Sequence, residues 1–150
     1  MPQAKITIDD AEFRNWINAA PEREEQMRKT FISEGSQIVE SVMIANTPVH
    51  SGAMAASVMA VEEENGFSVY PAVRYARFVE YGTGLFSKNP HLIYPKKSRV
   101  LHFESRGKEI FARYTIGQPG QFFVRKTRQM IKPMLCNLLE RLLKEIFHAG

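Results

Sequence analysis

Two apolar stripes at helical spacing, one in each half of the chain with only strand and turn signals between them, limit the fold more than any other feature. Met27, Phe31, Gly35, Ile38, Val42 and Ala45 recur every three or four residues, and Ile32, Val39 and Met43 widen the stripe. That period predicts a long amphipathic helix. Pro21 suits its first position, and Glu22, Glu24 and Glu25 complement the positive end of its dipole. Pro48 ends it, because the residue before a proline is pushed out of helical geometry. Gly35 costs about 1 kcal/mol against Ala inside a helix, which fits a second element in close approach there and equally a tolerated glycine. The other stripe starts near Phe122 and gathers Met134, Leu135, Leu138, Leu139, Leu142, Leu143, Ile146 and Phe147. They cover about half the helical wheel, wider than the ~100° arc that one core contact needs. Pro133 predicts a bend near Lys132 or two abutting helices.

Between the stripes, Asn65-Gly66 separates two strand-like runs, residues 57–64 and 67–73, and predicts a β-hairpin. Residues 99–104 and 109–116 form a second pair of strand-like runs around Ser105-Arg106-Gly107-Lys108. With no strand–helix–strand alternation, the order predicts an α+β fold, an antiparallel sheet of about four strands against the two long helices. A length of 150 residues fits a single domain spanning 1–150. Residues 1–20 read as an N-terminal appendage, with Asp9 and Asp10 as caps for a short helix carrying Phe13, Trp16 and Ile17. Residues 85–99, punctuated by Ser87, Asn89, Pro90 and Pro95, read as an exposed loop.

The net charge of +4 hides an asymmetry. Residues 1–75 carry 6 Lys/Arg against 11 Asp/Glu, and residues 76–150 carry 14 against 5. A subunit of net −5 on one side and +9 on the other suits head-to-tail association of copies; contact between its basic face and phosphates is the rival reading, and two merely solvated faces account for the counts equally well. No apolar run approaches the roughly 20 residues that span a bilayer, and the N-terminus lacks a signal-peptide pattern, so a product made and kept in a cytoplasm is expected. The single cysteine, Cys136, rules out an intramolecular disulfide and two-cysteine metal motifs, and its leucine neighbours predict a buried packing role.

Catalytic and metal signals are sparse. His50, His91, His102 and His148 are scattered without metal-ligand spacing, and Gly82-Thr83-Gly84 lacks the Gly-Lys-Ser/Thr of a phosphate loop. No cofactor or metal is expected. The enzymatic alternative is a small basic ribonuclease-like toxin acting without a metal, for which Arg74, Tyr75, Arg77, Tyr81, Lys97, Arg99 and His102 supply the residue types. Nothing in the spacing sets a base opposite an acid, so a non-enzymatic role is the primary reading.

Three segments carry a family resemblance. The first, residues 47–57, keeps Pro48, Val49, Gly52 and Ser57, with His50 and Ala53 where the pattern has Asp and Arg. The second is Tyr75-Ala76-Arg77-Phe78-Val79-Glu80-Tyr81-Gly82-Thr83. The third runs from Gly117 through Pro119 and Phe122 to Arg125, without the Pro-Ala that usually follows. Together, in register from residue 22 to 148, they resemble the neck or tail-completion proteins of long-tailed bacteriophages, also described as minor tail or head–tail joining proteins. The resemblance implies a structural virion protein made in the bacterial host cytoplasm. Its partners would be further copies of itself in a homomeric ring, a head-closure or connector protein, and a tail terminator or tail-tube protein. DNA would pass through the lumen without specific binding, and no membrane is involved. In that setting Tyr75, Ala76, Glu80, Tyr81, Gly82 and Thr83 are scaffold, Gly82 permits a turn, and Glu80 needs a hydrogen-bonding partner if buried. Lys96, Lys97 and Arg99 in the loop, with Leu143 and Phe147 on the broad apolar arc, are the expected assembly contacts.

Overall fold

The computed structural model describes residues 4–9 and 24–148, with side chains described for 4–6 and 25–145. The chain forms two compact units, one of residues 1–76 with 123–150 and one of residues 77–122. The first unit carries strand β1 (Ile6–Asp9), helix α1 (Glu24–Asn46), the short helix α2 (Ala53–Ala56), strands β2 (Val58–Glu63) and β3 (Gly66–Pro71) and the C-terminal helix α4 (Phe123–His148). Helix α3 (Ala76–Tyr81) leads into the second unit, which holds a 3-10 turn (Gly84–Phe86) and strands β4 (Leu101–Ser105) and β5 (Lys108–Ala112). The class is α+β.

Helix α1 is buried on two sides because it packs against α4 and against β2 and β3. Met27 and Phe31 form a cluster with Leu138, Leu142 and Leu143 of α4, and Ile38, Leu135 and Leu139 border it. At the other end of α1, the Asn46 amide donates to Thr127 Oγ1 at 3.2 Å, so the two helices run antiparallel. Thr127 is fully buried and donates its hydroxyl to the Phe123 carbonyl at 2.8 Å, which leaves none of its polar capacity stranded. Ile32, Val39 and Met43 are buried as well. Of the two readings of Gly35, close approach holds: a Cβ there would meet the Phe67 ring at 3.1 Å and Leu135 at 3.5 Å. Ala45, counted in the stripe from its spacing, is exposed. Near the start of the helix, the hydrogen bond and charge of Lys29, 2.7 Å away, hold the Glu25 carboxyl below the usual range.

The Asn65-Gly66 hairpin is present, with β2 and β3 antiparallel in the register Val61↔Ser68 and Glu63↔Gly66. A strand that the sequence reading did not anticipate, β1, pairs on the other side of β3, Ile6 opposite Val69. Its presence follows from the burial of Phe67, Ser68 and Val69 to 1 % exposure or less, since central backbone groups so buried need partners along both edges. The strands therefore form two sheets, a three-stranded β1-β3-β2 and a separate two-stranded β4-β5 with Phe103 opposite Ile110. The short helix expected around Phe13, Trp16 and Ile17, and Pro21 as a helix start, lie outside the described residues.

Helix α4 continues through Pro133 as one element, so of the two alternatives there, a bend near Lys132 or a pair of abutting helices, the pair does not occur. The proline cannot donate to the Gln129 carbonyl, and both residues are exposed, where an unpaired carbonyl is open to solvent. Two assignments on this helix change. Leu143, expected on an assembly face, belongs to the core, because α1 is broad enough on its facing side to cover most of the leucine arc. Cys136, expected to be buried, is exposed, since it lies about 100° around the helix from Leu135. The side chain of Phe147 lies outside the described set.

Candidate functional site

The three motif segments take distinct structural roles. The first is the link between α1 and β2 within the first unit. Thr47 ends α1 by donating both its N–H (2.9 Å) and its hydroxyl (2.7 Å) to the Met43 carbonyl. Pro48 follows, Val49 projects into solvent, and Gly52 precedes α2 with its carbonyl accepting from the Ala56 N–H at 2.9 Å. Ser57 closes that turn on the Met54 carbonyl at 2.8 Å, and its own carbonyl accepts from the Ala72 N–H at 2.8 Å.

The second and third segments meet each other in the second unit, and they do so backbone to backbone. The Thr83 N–H donates to the Gln118 carbonyl at 2.9 Å, and the Gln118 N–H returns to Thr83 Oγ1 at 3.1 Å. On one side of this pair the Leu85 N–H reaches the Ile116 carbonyl at 2.8 Å. On the other the Gln121 N–H reaches the Val79 carbonyl at 2.8 Å and the Phe122 N–H reaches the Glu80 carbonyl at 3.3 Å. The contact is too tight for side chains. A Cβ on Gly82, whose φ is +81°, would stand 2.8 Å from the Gly120 nitrogen and 2.9 Å from the Gln118 oxygen, and one on Gly120 would stand 2.5 Å from the Glu80 oxygen. Gly117 and Gly84 face each other's neighbours in the same way. The glycines of both segments thus serve one clasp, which closes the ends of the second unit. Glu80 lies within it at 3 % exposure and is not without a partner. Tyr81 and Phe78 point outward, Tyr75 is exposed, and Ala76 is buried at the start of α3. Pro119 is exposed beside the clasp.

From the clasp the chain makes the excursion foreseen for 85–99, though part of it is tethered. The Gly84 carbonyl accepts from the Ser87 hydroxyl at 2.8 Å and from the His91 N–H at 3.3 Å. Ile93 and Thr115 exchange two backbone bonds of 2.9 and 3.0 Å. Lys96, Lys97 and Arg99 follow this bridge and are exposed together.

The second unit buries no apolar side chain. Every buried apolar residue among the described residues belongs to the first unit, while the buried positions of the second are Glu80, Gly82 and Gly84. Its large apolar residues face solvent instead, Phe111 at 63 %, Tyr94 at 59 %, and Tyr114, Phe86, Leu85 and Phe103 to lesser degrees. Large apolar side chains left exposed in such number on so small a unit are candidates for contact with another protein. Composition by unit sharpens this: residues 77–122 hold 8 Lys/Arg against 3 Asp/Glu. The spacing of residues did not disclose this exposure, and the available signal was Phe103 and Ile110 on one face of a hairpin and Phe111 on the other, with no helix nearby in sequence to cover them.

Of the residues proposed for a ribonuclease-like site, all but the half-buried Arg77 are exposed. His102 stacks on Phe111 with centroids 4.5 Å apart, and its Nε2 is 3.7 Å from Glu109, all of them exposed. His50 and His91 are exposed too. Among the described residues no three His, Cys, Asp or Glu side chains gather to hold a metal ion, and no helix is long and apolar enough to cross a membrane.

Residues 11–82, just under half of the chain, match the family model described as Bacteriophage HK97-gp10, putative tail-component. The matched span contains the first motif segment and the second as far as Gly82, and it agrees with the resemblance to phage neck and tail-completion proteins that the motifs carry. No curated protein and no solved structure gives a significant match.

Proposed function

We propose that the protein is a subunit of the virion neck, forming or joining a homomeric ring between the head connector and the tail, through whose lumen DNA passes. The observation that carries this reading is the second unit, which is shaped by backbone bonds and leaves its aromatic and aliphatic side chains outside. A subunit built to be completed by neighbours has this distribution, whereas a self-sufficient domain of the same composition would cover those side chains itself. The family match to a phage tail component supports the same setting. The protein acts by binding, with no turnover. Its neighbours are a head-closure or connector protein on one side and a tail terminator or tail-tube protein on the other.

Within this reading Lys96, Lys97 and Arg99 contact an acidic protein surface, because tight phosphate binding would retard DNA moving through a channel. The test is the double substitution Lys96→Glu with Lys97→Glu in the phage. The expected outcome is folded protein and full heads that fail to acquire tails, scored by electron microscopy and plaque counts. Normal virions from the double mutant refute the loop's role, and RNA cleavage by purified wild-type protein that is lost in His102→Ala refutes the structural reading.

A further inference from the structure

The β4–β5 hairpin is a two-stranded sheet with both outer edges unpaired among the described residues. An isolated hairpin of this kind is marginal in water and gains stability from a third strand or a covered face. One of its faces carries Leu101, Phe103, Ile110 and Ala112, cross-strand partners in the observed register. Its tip is basic, Arg106-Gly107-Lys108. In the first unit β2 is itself an edge strand, with Met59 and Val61 exposed, and it runs into Glu62-Glu63-Glu64, all exposed. Among the described residues the protein therefore has two unpaired strand edges of opposite charge, each with apolar residues behind the charge.

We infer that β5 of one copy adds to β2 of a second copy, antiparallel, giving a continuous intermolecular sheet β1-β3-β2-β5-β4. Direction fixes the orientation. Strand β2 runs toward its acidic end and β5 runs away from its basic end, so antiparallel pairing places the two charged ends together, while a parallel one would separate them. With Glu63 opposite Lys108, Val61 falls opposite Ile110 and Met59 opposite Ala112. Period-two alternation then keeps Met59, Val61, Ile110 and Phe103 on one face as an unbroken apolar strip. One like-charge pair results, Glu62 with Glu109, and the latter already lies 3.7 Å from His102. Acidic and basic residues at strand ends ordinarily block unwanted edge pairing. Here the two blocks are complementary, so they reject copies in the wrong orientation and accept the right one. The contact is heterologous: each copy offers β5 to one neighbour and β2 to another, and repetition closes a ring or extends a filament.

This interface specifies the self-association assumed in the neck reading, and its test separates the two. Purified wild-type protein, Arg106→Glu with Lys108→Glu, and Glu63→Lys with Glu64→Lys are compared by sedimentation velocity over a concentration series. Wild type is expected to associate, and each charge-reversed variant to need on the order of tenfold higher concentration or more, since like charges then face each other. An equimolar mixture of the two variants is expected to recover association, because in it each reversed end meets an end of opposite sign; recovery also shows that both variants are folded. Wild type that stays monomeric, variants that associate as wild type does, or a mixture that fails to recover overturns the interface. Wild-type rings insensitive to the reversals leave the ring and remove this surface. Charge-rescued association by a protein absent from virions leaves the surface and removes the neck.

Discussion

Replacing Gly82 by alanine tests whether the clasp is held by backbone contact or only by a permissive turn. The comparison is Gly52→Ala, because Gly52 has nearly the same φ, +79° against +81°, but nothing within 4 Å of its added Cβ. Left-handed geometry costs a residue with a Cβ about 1–2 kcal/mol. The stiffer unfolded chain returns about 0.4–1 kcal/mol of that. Gly52→Ala is therefore expected to cost on the order of 1 kcal/mol. At Gly82 the new methyl meets the Gly120 nitrogen at 2.8 Å and the Gln118 oxygen at 2.9 Å, backbone atoms that have no rotamer to yield. Forcing them apart adds about 1–3 kcal/mol of overpacking and weakens the Thr83-to-Gln118 hydrogen bond, worth about 0.5–1.5 kcal/mol. The total is about 2–5 kcal/mol, concentrated in the second unit. Hydrogen exchange reads it locally: the amides of Thr83, Leu85 and Gln121, whose acceptors lie across the clasp, are expected to exchange roughly 30-fold faster or more, at a factor of ten per 1.4 kcal/mol. Equal protection of those amides in Gly82→Ala and Gly52→Ala refutes the argument.

Two further substitutions probe the helical core. Leu142→Ala removes most of a side chain that is 4 % exposed beneath α1, and urea unfolding is expected to show a loss of about 2–5 kcal/mol; a loss below about 1 kcal/mol refutes its placement in the cluster. Thr127→Val keeps the side-chain shape but removes the acceptor of the Asn46 amide, and a loss of about 1–2 kcal/mol is expected, with Asn46→Ala in the Thr127→Val background costing less than Asn46→Ala alone.

Local signals carried the parts of the fold that local chemistry decides. Asn65-Gly66 places the hairpin because both turn residues favour the conformation that a tight connection needs, and the stripe from Met27 to Val42 places α1 because helical period and burial coincide. The strand β1 was hidden by distance. Ile6-Thr7-Ile8 has the β-branched composition of a strand, but its partner is Val69 and neighbours, and nothing near it in the chain announces that pairing. The leucine arc of α4 misled in the opposite way. Its breadth implied a second protein, yet α1 presents an equally broad surface, and Leu143 is covered from within the chain. At the candidate site each glycine was legible as a turn, while the meeting of Gly82 with Gly120 was not, because backbone bonds between segments some forty residues apart leave no periodic trace in side-chain types. The charge asymmetry was visible from the outset, and the structure attaches it to particular strand edges.

The second unit is, in chain order, an insert: the polypeptide leaves the first unit after Ala76 and returns at Phe123 with the helix that completes the core. Helix α4 follows the insert in the chain, so α1 waits with its leucine-facing side bare until the insert has been bridged. Closing a flexible loop costs roughly (3/2)RT ln n, and a loop effectively ten times shorter is cheaper to close by about 2 kcal/mol. The bonds from Gln121 to Val79 and from Phe122 to Glu80 shorten the loop in this way wherever the clasp is closed. It works as a hem, and what lies beyond it is free to lengthen, shorten or change its side chains without altering the distance over which the frame must close. Divergence in partner choice among proteins built this way is therefore expected between residues 85 and 115, with the stitched edges held constant.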